Sequence, residues 1–351
     1  ANNTLDLQIV LGDSLSLVNS GGDLKTSAID LNGHSLTFGA YSYFGVISVD
    51  GEISGAGDVI KTGYGLTILA AANTYSGTTQ VNAGRLEVRN AQALGATNGT
   101  AESGTTVRGG GVLTLSGPFT FDNENGGTIE NVGSNVWTGD VHFGSLAQLQ
   151  GYGDSLLIAG NLTSESYAQI EVGGIGLLEL TGHSALSVAQ FSVSSGVLQI
   201  DSVLTGVNYL FINYGGTLQG AGTIQVSSYV QAYGGSIEFS GTLDAPQLYV
   251  QSGTVDPAGI SATSILNSGS LSLWNGTLRM QLAGDADYDQ VDVTGTVDLA
   301  YATLELAVGY TPTIGQRFTL INNDDTDAVV GIFNNQPEGS LIATDNIAFR
   351  I

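Results

Sequence analysis

Asp58-Val-Ile-Lys-Thr-Gly-Tyr-Gly-Leu-Thr-Ile-Leu69, Asn73-Thr-Tyr-Ser-Gly-Thr-Thr-Gln-Val-Asn-Ala-Gly-Arg-Leu-Glu-Val88 and Asn90-Ala-Gln-Ala-Leu-Gly95 decide how this chain is read. They are three short runs punctuated by glycine and asparagine. Leu66 and Ile68 stand two apart, as do Leu86 and Val88, and Val81 takes the same place in the run between them. That is the period-2 spacing of a strand with one buried face.

The rhythm extends outward in both directions. Residues 1–50 alternate apolar and polar at Leu5, Leu7 and Ile9, at Leu15 and Leu17, at Ile29 and Leu31, and at Leu36 and Phe38. Turns fall at Gly12-Asp13, Gly21-Gly22-Asp23, Asn32-Gly33 and Asp50-Gly51. A turn every ~8–12 residues implies many short strands. No window carries the i, i+3, i+4, i+7 stripe of an amphipathic helix. Residues 118–210 keep the rhythm with looser wording.

Composition agrees with an all-β fold. The chain has 351 residues, 51 of them glycine and only 5 proline, and 42% are hydrophobic, which sets it apart from a disordered linker. Charge is sparse and one-sided: 8 Lys+Arg against 32 Asp+Glu, a net charge of −24. Such a surface repels nucleic-acid phosphates and anionic lipid headgroups, so neither is expected as a partner. The absence of cysteine excludes thiolate metal sites, thiol catalysis and disulfides. No stretch reaches the roughly 18 apolar residues of a membrane-spanning helix. Residues 1–30 lack the basic start and continuous apolar core of a secretion signal, so the chain reads as a mature or trimmed fragment.

The stretch 58–96 resembles the passenger-associated repeat of bacterial autotransporters. Lys61, Gly63, Gly65, Leu66, Asn73, Thr74, Tyr75, Ser76, Gly77, Thr79, Val81, Gly84 and Leu86 fit its wording without a gap. Gly215-Gly-Thr-Leu-Gln-Gly-Ala-Gly-Thr-Ile224 and Ser252-Gly-Thr-Val-Asp-Pro-Ala-Gly259 are similar to blocks that follow in that family. The resemblance covers residues 25–117 and 215–350 and implies a right-handed parallel β-helix with a β-rich C-terminal cap. Residues 1–284 are then the β-helix, with coils of roughly 20 residues stacked about 4.8 Å apart. Residues 285–351 are the closing cap of the same solenoid. A cap is expected because a terminal coil exposes unpaired N–H and C=O groups.

Several stretches invite a chemical reading. Gly12-Asp-Ser-Leu15, repeated at Gly153–Leu156, resembles the first block of the GDSL esterases. That serine needs a histidine base, and the three histidines, His34, His142 and His183, include none near the C-terminus. A Gly-Asp-Ser turn opening a strand accounts for both copies. Asp285-Ala-Asp-Tyr-Asp289 and Asn322-Asn-Asp-Asp-Thr-Asp327 are the acidic clusters with metal-binding chemistry. Calcium takes six to eight oxygens, which makes Asp285, Asp287, Asp289, Asp324, Asp325 and Asp327 the candidate ligands, against the reading of solvated acidic turns. No other cofactor is implied. Arg85, Glu87 and Arg89 share a strand face, where a cross-strand ion pair is expected. Outward Tyr209, Tyr214, Tyr229 and Tyr233 have the chemistry to stack on sugar rings, or to serve as ordinary sheet aromatics.

The resemblance implies a non-catalytic extracellular β-solenoid at the bacterial surface: a stalk, an adhesive module, or a matrix or filament subunit. Its partners would be cell-surface or matrix components, glycans among them, or further copies joined end to end. The alternative is a carbohydrate-active β-helix enzyme, a polysaccharide lyase or hydrolase. Such an enzyme needs carboxylates and a basic residue on adjacent coils.

Overall fold

A computed structural model describes residues 2–5, 8–90, 92–96, 105–107, 111–116, 127–132, 134–137, 141–143, 146–151, 155–164, 166, 168–259, 263–324, 327–334, 336–344 and 347–350. Among them there is no α-helix, and the strands form a parallel β-solenoid. The chain divides into two compact units, Ala1–Leu178 and Glu179–Ile351.

In the first unit the coil that begins at Val46 visits three sheets in turn. Val46–Val49 lies on one sheet, Ile53–Ser54 on the second and Val59–Thr62 on the third, after which Leu66–Leu69 begins the next coil. Strands one coil apart pair in parallel, so backbone N–H and C=O groups are satisfied between coils. Ile47, Thr67, Leu86 and Leu113 stand in register, and so do Val49, Leu69 and Val88. All seven are buried. A buried Leu, Ile or Val side chain contributes about 1.5–3 kcal/mol, so each ladder is a repeated source of stability.

These pairings correct the expected phase of one strand. Leu66 and Ile68 stand in register with Arg85 and Glu87, where Ile68 is still only 7% exposed, while Thr67 and Leu69 share the register of the fully buried ladders. The neighbouring ladders fix this register, and a one-residue slip would turn Leu86 or Ile47 outward. Thr67 accordingly has its hydroxyl buried with no hydrogen-bond partner among the described residues.

A charged residue also lies in the core. Phe38, Lys61 and Val81 form one inward ladder, all with no exposed surface. The Lys61 Nζ turns toward the coil corner and donates to Thr62 O at 2.7 Å, Gly63 O at 2.8 Å and Ala83 O at 3.1 Å. Burial draws its pKa down to about 8, while the three carbonyl acceptors favour the ammonium.

The second unit repeats the plan with longer strands. Ser184–Val193, Val203–Ile212 and Thr223–Tyr233 pair in parallel and bend through register shifts near Val207. On another sheet Leu198, Leu218, Ile237, Val255, Leu278 and Leu304 form one buried ladder. Toward the C-terminus each coil takes in more chain: Leu248 pairs with Leu271, Leu271 with Val297, and Val297 with Val329. Parallel pairing thus continues past residue 285, and Leu341–Thr344 and Ile347–Arg350 form an antiparallel hairpin. Edge-on contacts from Tyr288 to Phe318 at 5.2 Å and from Phe318 to Phe349 at 6.2 Å tie that hairpin to its unit.

Candidate ligand-binding face

The strands Val203–Ile212, Thr223–Tyr233, Gln247–Gln251 and Ser270–Trp274 place alternate residues in the core. Leu210, Ile212, Val230, Ala232, Leu248, Val250, Leu271 and Leu273 are buried, which commits the residues between them to the outer face. Three outward ladders result. Tyr209, Tyr229, Gln247 and Ser270 align, then Phe211, Gln231, Tyr249 and Ser272, then Tyr233, Gln251 and Trp274.

The rings meet across coils. Tyr209 and Tyr229 lie 4.7 Å apart, and Tyr229 meets Tyr249 edge-on at 5.6 Å. Phe211 meets Tyr229 edge-on at 5.8 Å. Along one border Tyr214 meets Tyr233 at 4.8 Å and Trp274 meets Tyr301 at 6.5 Å. The Tyr214 ring lies over Gly234, where a Cβ would come within 2.1 Å of it, so glycine makes the place for the ring. Trp274 is 59% exposed and Tyr233 38%. Amides supply the polar component: the Tyr249 hydroxyl donates to Gln247 Oε1 at 2.9 Å. None of these ladder positions carries a charge, on a chain whose net charge is −24. The sequence singled out Tyr209, Tyr214, Tyr229 and Tyr233. It did not connect them to Tyr249 and Trp274, because strand register joins residues that lie far apart in the chain.

The first unit has its own exposed aromatic corner. Tyr43 and Tyr64 stack at 5.6 Å, with Tyr41 and Phe44 also exposed.

A different sheet of the second unit carries the charges an enzyme would require. Glu238, Asp256, Arg279 and Glu305 each follow a residue of the buried Ile237–Val255–Leu278–Leu304 ladder. Arg279 Nε lies 3.0 Å from Glu305, and its guanidinium lies 3.6 Å from Asp256. Asp256 is 1% exposed, and neither of its carboxylate oxygens accepts a hydrogen bond among the described residues. Burial raises its pKa, and Arg279 opposes the rise. A carboxylate so sealed is closed to substrate, and its arginine is held between two acids, so the cluster acts as an ion network joining coils.

The described calcium candidates Asp285, Asp287 and Asp289 meet different partners. Asp285 accepts from the Tyr310 hydroxyl at 2.9 Å, and Asp287 accepts from the Thr263 hydroxyl. Asp289 is fully buried and accepts the backbone N–H groups of Ser264 at 2.8 Å and Gln281 at 2.7 Å. Burial pushes its pKa up to about 6 against those two donors. Asp324 and Asp327 lie beyond the strand Ile321–Asn323, and Asp325 lies outside the described residues. Among the described residues no three His, Asp or Glu side chains converge as a metal site would need.

The remaining motifs resolve as turns and pairs. Ser14 opens the strand Leu15–Asn19, and its hydroxyl accepts the Ser35 N–H at 3.2 Å. His34 donates its N–H to Leu31 O in the Asn32–Gly33 turn, and the His142 side chain lies outside what is described. Glu87 pairs with Arg89 at 2.6 Å, the two alternating onto the same outer face two residues apart. No helix among the described residues is long and apolar enough to cross a membrane.

Comparison with known proteins follows the same lines. The passenger-associated-transport-repeat family model matches residues 59–88. The chain is also similar to the adhesin BmaC autotransporter of Brucella suis biovar 1 (strain 1330), at 29% identity over 201 residues. That match covers 57% of this chain and about 5% of the relative's length. The matched repeat thus sits in a parallel β-solenoid, and over more than half its length the chain is similar to an autotransporter.

Proposed function

We propose that this chain is a non-catalytic adhesive module, displayed at or released from a bacterial surface, that holds cell-surface or matrix components on its aromatic–amide face. The observation that carries the reading is the set of uncharged aromatic–amide ladders from Tyr209 to Trp274, with Tyr233 and Trp274 exposed on a strongly acidic chain. Exposed aromatic groups on a rigid sheet lose little conformational entropy on contact and bury large area. Similarity to a protein named as an autotransporter adhesin supports the same reading. Beads carrying the purified chain should adhere to cells or matrix, and soluble chain should compete for that adhesion. Adhesion no greater than that of bare beads would refute the proposal.

A second reading, end-to-end association, is favoured by one observation. Val329, Val330, Ile332 and Leu341, near the C-terminal end of the second unit, are each more than half exposed. A growing sedimentation coefficient with concentration, abolished by Val330→Lys, would support it. A constant monomer value would refute it.

A further inference from the structure

We infer that the ligand of the aromatic–amide face is a neutral, extended glycan lying across the coils, with successive sugars against successive rungs. The inference rests on the adhesive reading above and adds the chemistry of the ligand.

Spacing is the first argument. Parallel strands repeat about every 4.8 Å, and the Tyr209–Tyr229 and Tyr229–Tyr249 ring separations are 4.7 and 5.6 Å. An extended sugar chain advances by a similar distance per residue, so one ligand can meet a ring on each of three coils. Chemistry is the second. Aromatic faces take the C–H faces of sugar rings. Side-chain amides such as Gln251, which lies in register between Tyr233 and Trp274, both donate to and accept from hydroxyls. Charge is the third. The rungs from Tyr209 to Trp274 carry no cation to hold a carboxylate or sulfate, and the first carboxylate in register, Asp298, comes one rung beyond Ser272. The net charge of −24 repels polyanions at longer range.

Isothermal titration of the full chain tests this, using neutral oligomers of glucose, N-acetylglucosamine and mannose from disaccharide to hexasaccharide, beside uronic-acid oligomers of the same lengths. At least one neutral series should bind, with Kd falling about tenfold from disaccharide to tetrasaccharide, while the uronic series does not bind. Tyr233→Ala with Trp274→Ala should weaken tetrasaccharide binding about tenfold while the chain still unfolds cooperatively, since neither side chain belongs to the buried core. Failure of every neutral series, equal affinity at all lengths, or preference for the uronic series would each overturn the inference. If beads still adhere in that case, the adhesive reading stands and only the ligand class is wrong. If beads fail as well, both fall.

Discussion

The side-chain carbonyl of Asn73 accepts the backbone N–H of Ile53 at 2.7 Å, one coil back, while its amide donates to Ala93 O one coil on. One buried side chain thus ties three successive coils beside the backbone bonds Asn73 N–H to Gln92 O and Thr74 N–H to Ile53 O, and Asn73 is 3% exposed. Replacing it with leucine leaves a donor and an acceptor unsatisfied in the interior. Asn73→Leu should cost about 2–4 kcal/mol, read as a lower midpoint in chemical denaturation. An unchanged midpoint would show that the corner is held by other contacts.

Gly206 supplies a steric test of the bend in the long strands. Its φ is +74°, and a Cβ there would lie 1.7 Å from Leu186 O. Gly215 has a similar φ of +76° but open space around it. Gly215→Ala should therefore cost only the left-handed strain, about 1–2 kcal/mol. Gly206→Ala should cost clearly more, because a backbone carbonyl must move. Equal losses in parallel denaturation curves would contradict the bend as described.

Arg279 neutralises Asp256 in a site where that carboxylate has no hydrogen bond among the described residues. Arg279→Met leaves the acid buried and uncompensated, which typically costs about 3–5 kcal/mol. Protonation removes the charge, so much of the loss should be recovered on acidification. A loss that does not vary with pH would indicate that the arginine acts through packing alone.

Asp289 gives the protein an acid-side preference. Its folded pKa is raised to about 6 from the ordinary 3.8 because burial outweighs two backbone donors. Between those values the folded state binds more protons than the unfolded state. The contribution of Asp289 to stability is therefore full below the unfolded pKa and is lost as pH rises through about 6. Relief of self-repulsion at a net charge of −24 acts in the same direction. Denaturation midpoints should be higher at pH 4.5 than at pH 7, and Asp289→Asn should flatten the difference. A midpoint that rises from pH 4.5 to pH 7 would contradict this account.

The sequence made the fold legible because apolar alternation and turn residues are local signals. The repeat at 58–96 and the buried places of Val81, Leu86 and Val88 follow from them. The phase of Leu66–Leu69 did not, because four residues with three apolar side chains satisfy either face and only the neighbouring coils choose. Lys61 stands at an inward position by alternation with Val59, but a lysine there signals a buried site only once the three corner carbonyls are seen. The aromatic face was half legible: single tyrosines can be read from the chain, whereas the ladder they form with Tyr249 and Trp274 depends on coil length. The Asp285–Asp289 cluster shows the converse. Neighbours in sequence are sent to different partners, with Asp289 turned inward to hold backbone N–H groups while Asp285 meets Tyr310.

The adhesive role of the aromatic–amide face is tested most directly by bead adhesion with the Tyr233→Ala, Trp274→Ala double variant, alongside Gln199→Ala on a different sheet as a control. The account predicts that the double variant loses most adhesion while it still unfolds cooperatively, and that the control adheres normally. Full adhesion by the double variant, or equal loss in the control, would contradict it.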